Sequence, residues 1–263
     1  ASYFGEIMPV SSRAVDDDDE EENVLNEQKI TFSWTPASET QKEIKPVQCK
    51  QLVIALGDTA SAFVDVYMLN NNADNAMNLT MEIDVSEDSF LKPQKCIFPL
   101  HQLQDVAILV CKELVPAEYS FMLVEKLFEQ VKVEKDVIIL CSAPVNDFKC
   151  GSAVSEVSVP FIRALSTSRN TSKPSCPYLE QPNTVSSVAA QVLTYCEVNG
   201  MKAVLYQTFT ETLYLDADSI KSFKKVLMNT SCSQHIKETA ATKEKNGQDH
   251  IKTCPKQASL LIA

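Results

Sequence analysis

Glycine is scarce in this 263-residue chain, at only 5 residues. No Gly-x-Gly-x-x-Gly run and no Walker-type lysine loop occurs, which argues against the usual backbone cradles for nucleotide phosphates. Histidine is scarcer still, at 3. A nucleophilic triad needs a nucleophile, a base and an orienting acid within hydrogen-bond reach. No Gly-x-Ser-x-Gly elbow is present, and no carboxylate pair stands out from the general acidity. No catalytic residue, cofactor-binding residue or metal ligand is therefore assigned. Around His101 no second histidine, cysteine or carboxylate lies at metal-ligand spacing. Basic charge is also in deficit: 24 Lys and Arg face 35 Asp and Glu, for a net charge of −11. That argues against nucleic acid or an anionic membrane surface as partner, because phosphate binding runs on clustered cations. No apolar run approaches the roughly 20 residues that cross a bilayer. The start, Ala1-Ser-Tyr-Phe-Gly-Glu6, lacks the basic and apolar regions of a signal peptide.

The 9 cysteines are odd in number and none forms a Cys-x-x-Cys pair. Cys111, Cys141 and Cys196 sit inside apolar runs. They read as reduced, small, buried side chains in a cytosolic protein. The sequons at Asn78, Asn170 and Asn229 are expected to be chance matches in a chain without a secretion signal.

What is present is a set of helix and strand halves. The clearest begins at Asn183. Val185, Val188, Ala189, Val192, Leu193 and Cys196 recur at helical spacing, with Asn183 or Thr184 as the expected cap and Gly200 as the stop. Lys202 to Phe209 follows as a short, mostly apolar strand of the kind buried in mid-sheet. Gln51 to Leu56 is another strand. Gly57 then turns the chain into a helix capped by Asp58 or Thr59, with Ala60, Phe63, Val64 and Met68 inward. A single glycine beside an aspartate makes a poor phosphate site. Lys29 to Trp34 alternates as a strand, and Trp34 anchors its inner face. Asn70 to Asn75 reads as a loop and Thr80 to Val85 as a strand. Lys95–Leu100 and Asp105–Cys111 read as a hairpin with His101 in or beside its turn. Pro116 opens a helix whose stripe is Phe121, Val124, Leu127, Phe128 and Val131. Val137–Cys141 is a strand and residues 144–159 a long loop. Phe161 and Leu165 mark a short helix, and residues 166–182 a polar loop. Asp216 to Ser219 starts an acidic-capped helix with Ile220, Phe223 and Leu227 inward.

The ends differ from the middle. Asp16 to Glu22 is one acidic run with nothing to bury. The expected organisation is an acidic disordered tail over residues 1–28, one α/β domain over 29–228 and a flexible tail over 229–263. That second tail ends Leu260-Leu-Ile-Ala263, an apolar tip suited either to fraying or to docking in a partner's pocket.

Several segments carry a resemblance. Pro160-Phe-Ile-Arg-Ala-Leu165, Cys176-Pro-Tyr-Leu-Glu-Gln-Pro-Asn183, Ala189 to Cys196 and Ala203-Val-Leu-Tyr206 closely resemble the proteasome assembly chaperones. Phe4-Gly-Glu6 with the acidic run, and Leu52 to Gly57 with Ala62-Phe63, fit as well. The Leu179 to Asn183 piece is the most specific. The resemblance implies a non-enzymatic protein that pairs with proteasome assembly chaperone 2. The pair would bind the ring of proteasome α subunits, promote 20S core assembly and prevent off-pathway ring pairing. It also implies a three-layer α/β/α sandwich around a mixed, mostly parallel sheet, like purine nucleoside phosphorylases without their active site. The implied location is cytoplasmic, with the nucleus and the endoplasmic reticulum surface left open.

Members of this family commonly end in a hydrophobic residue, a tyrosine and one last residue, which insert between α subunits. By that pattern Leu261 takes the hydrophobic place and Ala263 supplies the carboxylate. Ile262 stands at the tyrosine position and has no hydroxyl to donate. Either insertion is weaker here or the partner chaperone carries the working tail. Two other readings stay open: a nucleosidase or phosphorylase using the loop after Gly57, and a scaffold recruiting basic partners through its acidic tail.

Overall fold

The computed structural model describes residues 29–37, 45–69, 74–84, 94–149, 158–211, 215–228 and 230–236. The acidic run Asp16–Glu22, residues 70–73, residues 150–157, His250 and the tip Leu261, Ile262 and Ala263 lie outside these. The chain falls into two compact units. The smaller takes residues 1–31 and 82–95, where Lys95 pairs with Glu82 at 2.6 Å. The larger takes the remainder, with all of the helices and the greater part of every strand.

Eight strands form one sheet. They are β1 (Lys29–Pro36), β2 (Val47–Leu56), β3 (Asp74–Asp84), β4 (Gln94–Leu103), β5 (Val106–Cys111), β6 (Val131–Pro144), β7 (Phe161–Ser166) and β8 (Lys202–Thr210). Their order is β1-β3-β4-β5-β2-β6-β8-β7. The central run β5-β2-β6-β8 is parallel, and β4 and β7 pair antiparallel at its sides. The expected α/β class with a mixed sheet is therefore present. The central strands are buried on both faces, which is why they read as continuous Leu, Val, Ile and Ala runs.

Helices cover both faces. α1 (Gly57–Phe63) runs on into a π-helical turn, Val64–Met68, and packs with α4 (Ala217–Leu227). Alternate strand residues Val53, Ala55, Ile138, Leu140, Val204 and Tyr206 join Ala60, Phe63, Phe223 and Val226 in one core. Phe63 stacks on Tyr67 at 5.2 Å and meets Phe223 at 5.7 Å. α2 (Ser120–Gln130) and α3 (Ser187–Val198) pair with one another over β6. Phe128 stacks on Tyr195 at 4.4 Å between them. The intervening residues Leu52, Ile54, Ile139 and Leu205 point to this side, as the period-two alternation of a strand requires. Cys232 and Ile236, beyond α4, also enter the first core. There Cys232 Sγ donates to Gln51 Oε1 at 2.7 Å, while Gln51 Nε2 donates to Asp136 at 2.7 Å.

Local sequence rules hold where the partner is a near neighbour. Asp216 caps α4, accepting from the backbone N–H and the hydroxyl of Ser219 at 2.6 Å each. Gly200 ends α3 with φ +65°. Its N–H reaches Glu197 O at 3.1 Å, and the N–H of Met201 reaches Cys196 O at 2.8 Å. This is the paired closure of a Schellman cap.

Four expectations need correction. Residues 161–166 form strand β7, not a short helix, running from Phe161 opposite Phe209 to Ser166 opposite Val204. A helix this short is marginal alone, whereas the strand satisfies the free side of β8. The caps of α1 and α3 are Leu56 and Ser186, and neither makes a side-chain cap bond. On α2 the inward residues are Leu123, Val124, Leu127 and Phe128, while Phe121 is exposed and Val131 already belongs to β6. His101 lies within β4 opposite Ile108, and the turn itself is Gln104-Asp105. Burial lowers the pKa of its imidazole.

Candidate functional site

The C-terminal ends of β2, β5, β6 and β8 open onto a cleft of about 380 Å³. In open α/β sheets this is the end where loops leave the strands and ligands gather. The floor is Leu56, Cys111, Cys141, Gln207 and Phe209, one or two from each strand. The first turn of α3, from Ser186 to Ala189, also lines it. Lys112 to Val115 and Asp147 complete the wall.

The far rim is built by the segment that carries the most specific resemblance. Asn183 binds both backbone groups of Lys149: its Oδ1 accepts from the N–H at 2.7 Å and its Nδ2 donates to the carbonyl at 2.8 Å. The same Nδ2 donates to Glu180 O at 2.8 Å. Glu180 takes the Nε of Arg163 on both carboxylate oxygens, at 3.0 and 2.9 Å. The guanidinium lies over the rings of Phe161 and Phe148, at 4.8 and 5.3 Å. Those rings pack with Phe209 at 5.1 and 4.9 Å. Leu179 joins this cluster, and its N–H donates to Ala164 O in β7 at 2.8 Å. The Leu179–Asn183 run thus ties the turn after β6 to the outer strand β7. Sequence reading singled it out without any means of seeing these contacts.

Among the described residues, the groups most often used in catalysis are poorly placed in the cleft. Its two cysteines are poor nucleophiles, because burial pushes the Cys141 thiol up to about 12 and raises that of Cys111 as well. Neither described histidine at 101 or 235 lines it. Lys112 turns to Asp65 at 2.9 Å. Among the described residues no group of His, Cys, Asp and Glu could hold a metal ion. The seven described cysteines are free. No described helix is long and apolar enough to cross a membrane.

Apolar side chains on the cleft wall and on α2 face solvent. Leu114 is 81% exposed, Phe121 55% and Met122 40%. Exposed apolar residues of this kind suit a protein that binds other chains.

A family model described as Proteasome assembly chaperone 4 (PAC1) matches residues 1–258. The chain belongs to the proteasome assembly chaperone family. Among its relatives in this family, Proteasome assembly chaperone 1 of Xenopus laevis is 32% identical, over 93% of this chain and 94% of that protein. The human protein of that name is 25% identical over 93% of each chain. In fold, the chain is similar to Pyrococcus furiosus PbaA, an archaeal homolog of proteasome-assembly chaperone. The TM-score is 0.59 at 9% identity, over 85% of this chain and 94% of that one. Pyrococcus furiosus PbaB, an archaeal proteasome activator, gives 0.50 at 12% identity, over 86% and 97%.

For a member of this family, the sequence missed two features of the cleft: Gln207 and the uncapped start of α3. A signal for the first was available. Gln207 is an amide that follows the apolar run Ala203–Tyr206 in a strand buried along nearly its whole length. The tip Leu261–Ala263, proposed from sequence as the partner-binding element, lies outside the described residues.

Proposed function

We propose that this chain is a non-catalytic chaperone of proteasome assembly. It pairs with proteasome assembly chaperone 2, and the heterodimer binds the α-subunit ring. Bound there, it promotes 20S core assembly and blocks off-pathway pairing of rings. The working body is the α/β domain, which runs on through the core residues Cys232 and Ile236, with the residues before 29 and after 236 as tails. Leu261, Ile262 and Ala263 form the tip that contacts the ring. The place of action is the cytoplasm. The match to the family along nearly the whole chain carries this reading, and buried, weakly acidic thiols in the cleft agree with it. The exposed group Leu114, Phe121 and Met122 supports a surface that meets another chain.

The test is co-expression of the tagged chain with proteasome assembly chaperone 2 and α subunits, followed by native capture. The full chain should retain both, and removal of Leu261–Ala263 should lower α-subunit recovery while leaving the heterodimer intact. Capture of neither partner contradicts the reading. Unchanged α-subunit recovery after truncation shows that the tip is idle in this chain.

A further inference from the structure

A second cavity, of about 170 Å³, lies at the opposite end of the sheet, where β8 begins alongside Asp136 of β6. Its floor is formed by alternate residues of the two strands, Asp136 and Ile138 with Lys202, Val204 and Tyr206, on the face that carries α1 and α4. Lys173 and its neighbours line the other side, and Ser175 Oγ ties that segment to the end of α4 through Val226 O at 3.4 Å. Three polar groups here are unmatched. Tyr206 is only 2% exposed, yet its hydroxyl bonds to no described residue and is not sealed in. A hydroxyl in that state is costly unless something occupies the space beside it. Burial pushes its pKa up to about 12, so it remains a donor. Asp136 spends one oxygen on Gln51 Nε2 at 2.7 Å, and Gln51 is held in turn by Cys232 Sγ at 2.7 Å. The other oxygen of Asp136 bonds to no described residue. Lys202 stands opposite Asp136 in register, but the two do not close an ion pair. Burial raises the pKa of Asp136 although Lys135 and Lys202 pull it down, so its charge is under-compensated.

We infer that this cavity binds an acidic amino acid, a small molecule with one ammonium and two carboxylates. The free oxygen of Asp136 takes the ammonium, a charge-assisted bond from a donor that no described side chain supplies. Lys202 and Lys173 take the carboxylates, and the Tyr206 hydroxyl donates to a carboxylate oxygen at the floor. The charges decide the class. The lining carries two ammonium groups and one carboxylate, so a ligand of the opposite pattern balances it. A plain anion would meet Asp136 with nothing to offset the repulsion, and a neutral amino acid would leave one lysine unmatched. A volume of about 170 Å³ falls below the range of drug-sized pockets, which suits a molecule this small and excludes a nucleotide. This site goes beyond the chaperone role and does not depend on it.

The test titrates the full chain with L-glutamate and with L-aspartate at constant ionic strength, following melting temperature and binding heat. Glutarate, which lacks the ammonium, and L-glutamine, which lacks the second carboxylate, serve as controls. At least one of the two acidic amino acids should give a saturable rise in melting temperature, as binding to the folded state alone requires. Each control should bind at least about tenfold more weakly. Tyr206→Phe removes only the unpartnered hydroxyl. It should weaken binding about tenfold, the usual worth of a hydrogen bond to a charged group, while the free chain melts no lower. Asp136→Asn keeps an oxygen for Gln51 but loses the charge, and should weaken binding at least as much. A flat response to both acidic amino acids, equal binding of glutarate or L-glutamine, or unchanged affinity in Tyr206→Phe overturns the site. None of those results touches the capture of proteasome subunits, so the two readings fail separately.

Discussion

Phe223→Ala will destabilise the domain by about 3–5 kcal/mol, the usual loss for a fully buried phenylalanine. Phe223 is 0% exposed and meets Phe63 across the gap between α4 and α1. Those helices hold their face of the sheet through this ring pair, together with Val64, Ile220 and Val226. Removing the ring leaves a cavity that rigid strands on one side cannot fill, so the transfer loss and the cavity loss add. For a domain of this size the melting temperature should fall by about 10 °C. Phe121→Ala gives the contrast, because Phe121 is 55% exposed. Its cost should stay within about 0.5 kcal/mol. Denaturant melts of the two variants check both values. A loss at Phe121 equal to that at Phe223 would contradict the placement of the helices.

Arg163→Ala should cost about 2–4 kcal/mol, because it removes a charge-assisted pair, a ring stack and the packing of the arginine stem together. The side chain of Arg163 is only 13% exposed, against 47% for Glu180, so this pair exceeds the small value of a solvated surface bridge. The Nη1 also donates to Ile162 O at 3.1 Å. Arg163→Lys keeps the charge but cannot hold the carboxylate and stack on two rings at once, so it should recover less than half. The segment 177–183 would then loosen from β7 and bare part of that strand's edge, which promotes association. Thermal melts and light scattering on the three proteins read both effects. Wild-type stability in Arg163→Ala would show that the segment is held by Asn183, Leu179 and its backbone bonds to Ala164 without help from the arginine.

The parts of the fold legible in the sequence were those fixed by neighbours in the chain. Asp216 caps three residues ahead, and Gly200 closes the helix that ends just before it. β2, the centre of β6 and β8 announced themselves because strands buried on both faces allow little but apolar residues. The sequence misled where a distant partner decides. Phe161 and Leu165 have helical spacing, yet β8 needed a neighbour and took that run as a strand. Asn183 is a good cap residue by composition, but its side chain is held by Lys149, 34 residues away, and the cap fell to Ser186. Phe121 shares the period of the α2 stripe, but the inward face lies one step round, on Leu123 and Val124.

The site was less legible than the fold. The resemblance rested on Leu179 to Asn183, and the contacts explain why that piece is distinctive. Its residues bind the turn after β6, strand β7 and the mouth of the cleft at once. Gln207 and the start of α3 come together only when β8 and α3 are laid side by side. No spacing rule along the chain reports that. The carboxyl-terminal tip was read from composition and from the end pattern of the family it resembles, and its role rests on the capture experiment.

The most direct measurement follows proteasome assembly on native gels after this chain is depleted from the cells that make it. The account predicts less mature 20S core, with free α subunits and mispaired α rings accumulating, and recovery when the chain is restored. Normal amounts of 20S core, formed at the normal rate without the chain, would contradict it.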